Sequence, residues 1–205
     1  MSTPQEKERV IQRISELAKR GHPTATGCLL VTLQESIINL NTRRFGDVCE
    51  ILITKIVDNL KQSDDISYDK NLGSKKIEIK FSRAIEKSDP ITEKNIREVL
   101  LENNVSKLIN DKDKNIKKWD CNIQQVKVKC FDILYYGVCF REIIYIFKIT
   151  SNQLIKDETI KFSSKQHRGN TGEGQFHIKK NNIDYHIKKY LVKTLSYEKM
   201  WKLLS

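Results

Sequence analysis

The residues of this chain best suited to chemistry are a glutamate and a lysine two positions apart, Glu78 and Lys80. They lie in the segment KIEIKFS, residues 76–82, where apolar and polar residues alternate strictly. In a β-strand this alternation places Glu78 and Lys80 on one face and the isoleucines on the other. A carboxylate can hold a hard cation and an ammonium can stabilise a phosphate, so the pair suits metal-assisted phosphodiester hydrolysis.

An aspartate upstream of Glu78 is placed to complete a metal site. The glycine and serine at positions 73 and 74 suit a two-residue hairpin turn of type II′, whose first central position favours glycine. Counting outward from this turn places Asp69 opposite Glu78. Opposed carboxylates repel each other unless a cation lies between them, so the hairpin predicts a magnesium site. In a different register, Asp64 or Asp65 would supply the ligand.

The segment before the hairpin predicts a helix that carries a third carboxylate. From about Thr42 onward, apolar residues recur at helical spacing and form one stripe, Phe45, Val48, Cys49, Leu52, Ile56 and Leu60. Glu50 lies at the edge of this stripe, four residues after Gly46. Because a carboxylate is rare on a buried face, Glu50 is a candidate for the same site.

These residues together resemble the motif of the PD-(D/E)xK nucleases, the superfamily of many type II restriction enzymes and junction resolvases. The matching positions are Asp69, Glu78, Ile79 and Lys80 in the hairpin, with Gly46 and Glu50 on the helix before it. The family's usual proline before the aspartate is absent, because Tyr68 stands there. In some restriction enzymes a glutamine takes the position of the acidic residue, which gives a glutamine-x-lysine motif. The segment QQVK at 124–127 resembles this motif, and it is either an alternative motif or an adjacent strand of the same sheet.

The resemblance implies a hydrolytic site for DNA phosphodiesters with Mg²⁺ as cofactor. Its catalytic residues would be Asp69, Glu78, Lys80 and Glu50, and its metal ligands Asp69, Glu78, Ile79 and Glu50. Lys80 would orient or deprotonate the attacking water and offset charge on the phosphate. Glu50 would hold a metal-bound water or a second ion, and the products would carry 5′-phosphates.

The pattern along the rest of the chain predicts one α/β domain. We expect a mixed β-sheet flanked by helices, in the restriction-endonuclease-like arrangement that the resemblance implies. Helical spacing indicates helices at 3–19, 29–40, 92–108 and 196–204, and strand-like patterning covers 67–81 and, as two or three further strands of the same sheet, 123–149. The parts would be a helical appendage at 1–41, a catalytic core at 42–150 and a C-terminal DNA-recognition segment at 151–205.

Two groups of polar residues are candidates for DNA contacts. The glycine-containing segment KQHRGNTGEGQFHIKK, residues 165–180, carries side chains that read base edges in the major groove. Its candidate reading residues are Lys165, Gln166, His167, Arg168, Asn170, Gln175 and His177. Residues that flank the predicted site suit phosphates, which position DNA without specifying its sequence, and these are Arg43, Arg44, Ser82 and Arg83.

Composition and charge favour a nucleic-acid partner. The chain has 37 Lys and Arg against 26 Asp and Glu, and its net charge of +11 attracts polyanions. No apolar run approaches the ~20 residues that span a bilayer, and the N-terminus lacks the apolar core of a secretory signal, so we expect a cytoplasmic protein with no membrane partner. The five cysteines and four histidines lack zinc-site spacing, and we expect reduced cysteines.

The predicted function is therefore a type II site-specific deoxyribonuclease acting on double-stranded DNA. Cutting both strands of a short palindrome needs two active sites, so a chain of 205 residues is expected to form a homodimer. A cognate DNA methyltransferase acting on the same site would be a further partner of such an enzyme. Two alternatives stay open: a structure-selective nuclease similar to junction resolvases, and a non-catalytic basic nucleic-acid-binding protein.

Overall fold

The computed structural model describes residues 9, 16, 20, 27–28, 34–87, 90–101, 107–165 and 171–204. The helix predicted at 3–19 lies outside these residues apart from two isolated positions, and of the helix predicted at 29–40, residues 34–38 are helical. No helix among all the described residues is long and apolar enough to span a membrane.

The elements of the described residues follow each other as short helices and strands. In chain order they are α1 (Thr42–Ile56), β1 (Leu60–Gln62), β2 (Lys70–Leu72), β3 (Lys75–Arg83), β4 (Ile85–Glu86), α2 (Ile96–Leu101), a 3₁₀ turn (Asp111–Asp113), β5 (Trp119–Val126), β6 (Ile133–Cys139), β7 (Ile143–Thr150), α3 (Ser151–Lys156), β8 (Ser163–Lys165), β9 (Thr171–Lys179), α4 (Ile183–Tyr190), β10 (Leu191–Ser196) and α5 (Tyr197–Leu204).

These strands form two sheets, and the predicted mixed α/β fold class is confirmed. The larger sheet has the order β1-β2-β3-β6-β7-β10, with β3 and β6 parallel and the other neighbours antiparallel. The smaller sheet is antiparallel and has the order β4-β5-β9-β8. The prediction that residues 123–149 continue one sheet is wrong for β5, because β5 pairs with β4 and β9 rather than with β6.

The chain passes directly from the larger to the smaller sheet at Ala84. This residue separates β3 from β4 and is fully buried. Its N–H donates to the carbonyl of Cys139 on β6 at 2.9 Å, and its carbonyl accepts from the N–H of Ile109 at 3.1 Å. The two strands therefore form one nearly continuous run that ties the sheets together.

Side-chain alternation along the larger sheet separates two apolar cores. On β7, Ile144 and Ile146 pack into one core together with α1 and α5. Tyr145 and Phe147 pack into the other core, together with α3, α4 and β5. Helices thus cover one face of the larger sheet, and helices together with the smaller sheet cover the other.

The same alternation fixes which way the candidate site faces. On β3, Ile77 and Ile79 belong to the core beneath α1. Glu78 and Lys80 alternate with them and therefore point to the opposite face, where β5 of the smaller sheet lies against β3. The predicted catalytic pair thus lies on the side of the larger sheet that faces the smaller sheet.

Helix α1 forms as its sequence predicts. Its N-terminus is capped by the side chain of Asn41, which accepts a hydrogen bond from the N–H of Arg44 at 3.0 Å. Glu50 is half-buried at the edge of the apolar face. The buried residues of the helix are Phe45, Cys49, Leu52 and Ile53, three of which belong to the predicted stripe.

The C-terminal segment divides between the two sheets. Strands β8 and β9 belong to the smaller sheet, whereas β10 is an edge strand of the larger sheet and α5 packs on α1. The helix predicted at 196–204 is confirmed as α5. Of the helix predicted at 92–108, α2 covers 96–101, and Leu108 instead forms a β-bridge with Ile85.

Substitution by alanine should have opposite effects on stability at two glycines of the described residues. A Cβ added at Gly137 would lie 2.1 Å from the ring of Phe81, its cross-strand neighbour, so Gly137→Ala should lower the free energy of unfolding by about 1–3 kcal/mol. At Gly46, inside α1, a Cβ meets nothing within 4 Å. Gly46→Ala should therefore raise the unfolding free energy by roughly 0.5–1 kcal/mol.

Urea denaturation of both variants would measure these changes. Adding Phe81→Leu to Gly137→Ala should recover part of the lost stability, because a smaller side chain leaves room for the new methyl group. Equal stability of Gly137→Ala and wild type would contradict the close packing of Phe81 on β6.

Candidate active site

The predicted hairpin forms, but its register changes just before Asp69. Gly73 has the predicted positive φ, at 59°. Three of the expected pairs are confirmed, namely Leu72 with Lys75, Asn71 with Lys76 and Lys70 with Ile77. The fourth expected pair is wrong, because the N–H of Asp69 donates to the carbonyl of Ile77 at 3.0 Å instead of continuing the ladder to Glu78. Asp69 therefore does not lie directly opposite Glu78.

The altered register still brings the carboxylate of Asp69 to the catalytic strand. Its Oδ2 atom accepts a hydrogen bond from the N–H of Ile79 at 2.7 Å. The same atom lies 3.9 Å from the Nζ of Lys80, and that Nζ lies 2.5 Å from Oε1 of Glu78. One ammonium thus bridges two carboxylates, one on β3 and one on the residue just before β2.

The environment of Glu78 leaves its charge incompletely compensated. Glu78 is 4% exposed, and its Oε2 atom has no hydrogen-bond partner. Burial raises the pKa of Glu78 to about 7, an effect that the positive charge of Lys80 opposes and the negative charge of Asp69 reinforces. The site therefore holds an unsatisfied buried oxygen that a further cation could satisfy.

Lys80 remains an ammonium in this setting. Burial lowers its pKa, but the negative charges of Glu78 and Asp69 outweigh burial and raise the pKa above its ordinary value. As an ammonium at neutral pH, Lys80 can donate hydrogen bonds to a water or a phosphate oxygen but cannot accept a proton. Of the two roles expected for Lys80, a raised pKa in the field of Glu78 and Asp69 favours orientation and charge stabilisation over deprotonation.

Glu50 of α1 is a third carboxylate, close enough to Asp69 and Lys80 for their charges to act on it. Burial raises the pKa of Glu50, and the negative charge of Asp69 raises it further. The Nζ of Lys70 lies 3.7 Å from the Glu50 carboxylate. Lys70 was not among the predicted site residues, although its position next to Asp69 in the sequence was a signal for it.

A magnesium ion fits the chemistry of these residues. Asp69, Glu78 and the peptide oxygen of Ile79 are hard oxygen donors, and magnesium is commonly held by one or two carboxylates plus waters and substrate oxygens. Within the described residues, no group of three or more His, Cys, Asp or Glu side chains is arranged to hold a metal ion. The ammonium of Lys80 already occupies a position where a positive charge is required.

The alternative residues do not join this cluster. Asp64 and Asp65 are both exposed, and the carboxylate of Asp65 accepts a hydrogen bond from the N–H of Ser67 within a local turn. In the alternative motif QQVK, Gln124 and Gln125 are exposed on β5 of the smaller sheet. The described geometry therefore favours Asp69 as the third member of the site.

Lys127 at the end of that alternative motif nevertheless lies near Glu78. Its positive charge lowers the pKa of Glu78. The Nζ of Lys127 lies 3.8 Å from Oε1 of Glu173 on β9, so the residue connects the site with the smaller sheet. The sequence predicts that Lys127 lies at or next to a strand, now seen as β5. It gives no signal that β5 packs against β3, which carries Glu78.

The residues expected to contact phosphates divide into two groups. Arg43 and Arg44 are exposed on α1, and Ser82 is half-buried on the face that carries Glu78. Arg83 points to the opposite face, where its guanidinium lies 4.0 Å from the centre of the Phe45 ring and donates to the carbonyl of Leu40 at 2.8 Å. The structure therefore does not bring Arg83 to the site, and Arg83 instead secures the segment before α1.

Three of the residues expected to read bases lie on strands of the smaller sheet. Lys165 is exposed at the end of β8. Gln175 is 7% exposed and accepts a hydrogen bond from the amide of Asn122 at 3.1 Å, and the Nδ1 atom of His177 lies 2.9 Å from the carboxylate of Asp120. The remaining four expected reading residues, Gln166, His167, Arg168 and Asn170, lie outside the described residues.

Three of the cysteines in the described residues lie in the core. Cys49, Cys121 and Cys139 are buried, and burial raises the pKa of each thiol. These three cysteines are therefore core residues rather than nucleophiles.

Comparison with known proteins gives no independent indication of family: no protein-family model, curated protein or solved structure matches the chain.

In the metal-free protein, Glu78→Gln should remove a pH-dependent loss of stability. The fold raises the pKa of Glu78 from 4.5 to about 7, so the folded state binds this proton more tightly than the unfolded chain. The resulting stabilisation is complete at low pH and is lost as the pH rises through about 7. Between about pH 5 and pH 8, wild type should lose roughly 2–3 kcal/mol relative to Glu78→Gln.

Chemical denaturation in EDTA at intervals across that pH range would measure this difference. Glu158→Gln is the matched control, because Glu158 is exposed and carries the same charge. Its stability should run parallel to that of wild type. Parallel curves for Glu78→Gln as well would show that the Glu78 carboxylate is not destabilised by burial.

Proposed function

We propose that this chain is a magnesium-dependent DNA endonuclease of the PD-(D/E)xK type. The observation that carries the proposal is the convergence of Glu78 and Lys80 of β3 with Asp69, the residue before β2, with one buried carboxylate oxygen lacking a partner. A surface ion pair would not leave such an oxygen buried, because burial of an unsatisfied polar atom is costly. The arrangement is therefore better suited to binding a cation than to stabilising the fold.

The proposed residues divide the work of phosphodiester hydrolysis among them. Asp69, Glu78 and the peptide oxygen of Ile79 would hold Mg²⁺. When bound, Mg²⁺ supplies Lewis-acid polarisation of a phosphate oxygen and lowers the pKa of a coordinated water. The ammonium of Lys80 orients the attacking water and offsets the charge that develops on the phosphate. Glu50 would hold a metal-bound water or a second ion.

The charge of the chain favours DNA as the substrate. With a net charge of +11, the protein attracts a phosphate backbone at long range. In this proposal the enzyme is a sequence-specific type II nuclease that acts in the cytoplasm as a homodimer, because two cuts in a palindrome need two sites. A methyltransferase that modifies the same DNA sequence would protect the host genome from such an enzyme.

Incubation of the purified protein with supercoiled plasmid tests the activity. We expect discrete linear fragments with Mg²⁺ and uncut plasmid in EDTA, because the carboxylates need a cation to act on a phosphodiester. A synthetic four-way junction in parallel separates the structure-selective alternative, since a resolvase would cut only the junction. Uncut DNA of both kinds in Mg²⁺ or Mn²⁺ would contradict the proposed function.

Lys80→Ala should abolish cleavage while leaving DNA affinity nearly unchanged. The cleavage rate should fall by about 100-fold or more, because an ammonium that stabilises developing charge is removed. Affinity should change little, since one lysine among many contributes a small share of the total phosphate attraction. Single-turnover cleavage and fluorescence anisotropy with a labelled duplex would measure the two effects separately.

Lys75→Ala is the matched control for this variant. Lys75 lies on the same strand and carries the same charge but is exposed at the hairpin turn. Its cleavage rate should equal that of wild type. Circular dichroism of each variant would verify folding, and cleavage by folded Lys80→Ala at the wild-type rate would refute the assignment of Lys80.

A further inference from the structure

A basic hollow lies at one end of the smaller sheet, outside the candidate active site. It has a volume of about 290 Å³ and is lined by Lys87, Lys118, Trp119, Lys179, Lys180 and Asn181. Four of these six residues are lysines and none is acidic. We call this feature the lysine hollow.

Strand pairing places two of the lysines opposite each other. Glu86 on β4 pairs with Trp119 on β5, and one step further the N–H of Lys87 donates to the carbonyl of Lys118 at 3.0 Å. The backbone pairing therefore places Lys87 and Lys118, both exposed, next to each other at the edge of the smaller sheet.

The nearby carboxylates compensate only part of this charge, and the ammonium of Lys180 donates to the carbonyl of Ile116 at 3.1 Å. Glu86 lies 2.9 Å from the Nζ of Lys117, outside the hollow. Asp120 contacts His177 at 2.9 Å and Lys179 at 3.9 Å. Within the described residues, no carboxylate forms an ion pair with Lys87 or Lys118.

A phosphate is the ligand that these groups fit. Lysine ammoniums donate three hydrogen bonds each and accept none, and phosphate oxygens only accept. The amide of Asn181 adds a further donor at the rim. A phosphate bound among these lysines would accept hydrogen bonds from the ammonium groups of Lys87 and Lys118, which have no ion-pair partner among the described residues.

The hollow is separated from the candidate active site along β5. Trp119 begins this strand, and Lys127, whose charge acts on Glu78, follows its other end. The strand spans roughly 20 Å at about 3.3 Å per residue. That separation corresponds to about six phosphates along one strand of duplex DNA.

We propose that the lysine hollow binds the phosphate backbone of duplex DNA about half a helical turn from the phosphodiester held at Glu78 and Lys80. The choice of DNA as the ligand rests on the proposed nuclease function. The hollow serves as a positioning contact: it binds backbone phosphates of any sequence and sets where along the duplex the hydrolytic residues act.

The double variant Lys87→Gln/Lys118→Gln tests this site by binding alone. Affinity for a labelled duplex would be measured by fluorescence anisotropy in EDTA over a series of salt concentrations, so that cleavage does not contribute. Affinity should fall about tenfold at moderate salt, and the slope of log affinity against log salt should decrease by about two, since each lost phosphate contact lowers it by ~0.9.

The matched control is Lys193→Gln/Lys199→Gln, which removes the same charge from two exposed lysines of β10 and α5. This control should keep the wild-type salt slope. Equal loss in both double variants would overturn the proposal, because the effect would then come from net charge alone. Stronger dependence on these lysines for binding to phosphatidylserine vesicles than to duplex would also overturn it, in favour of a membrane surface.

The outcome separates this proposal from the proposed function. Loss of duplex affinity in the hollow variant, together with an inability of wild type to cleave DNA, would retain the phosphate site and refute the nuclease. Cleavage by wild type, together with unchanged affinity in the hollow variant, would retain the nuclease and refute the site. Absence of duplex binding by wild type would refute both.

Discussion

A carboxylate that is 4% exposed between two sheets needs a cation, and for Glu78 that cation is the ammonium of Lys80 at 2.5 Å. The position of this pair is fixed by β3, which pairs in parallel with β6 over seven residues from Ile77 to Arg83. The apolar residues that alternate with Glu78 and Lys80 hold the strand against α1. The pair therefore cannot turn outward without exposing the isoleucines on the other face.

The compensation within the fold is only partial, and this has a chemical consequence. Oε2 of Glu78 has no partner, and Asp69 adds a second negative charge to the site. Breaking a buried ion pair by removing one partner is strongly destabilising, so Lys80 contributes to the fold as well as to any chemistry. A bound divalent cation would supply the missing partner of Glu78 and leave Lys80 available to a phosphate.

Much of this site follows from local rules, whereas its long-range pairings do not. Strict alternation placed Glu78 and Lys80 on one face, and the glycine turn predicted three of four pairs. The same alternation puts Arg83 on the opposite face with the isoleucines, which the period of two already implied. Asp69 departs from the position opposite Glu78 because its carboxylate accepts a hydrogen bond from the N–H of Ile79. The pairing of β5 with β9 joins segments about 50 residues apart. Neither feature has a signal in the local sequence.

The passage of the chain through Ala84 connects the candidate active site with the lysine hollow. β3 carries Glu78 and Lys80, and it continues through Ala84 into β4, which ends next to Lys87. Both backbone groups of Ala84 are hydrogen-bonded and the residue is fully buried, so this connection is not built as a hinge. Because Lys87 of the hollow directly follows this nearly continuous strand, the backbone fixes its separation from Glu78 and Lys80. A duplex bound at the lysine hollow would therefore meet the carboxylates at a set distance, and that distance would be the same for every DNA sequence.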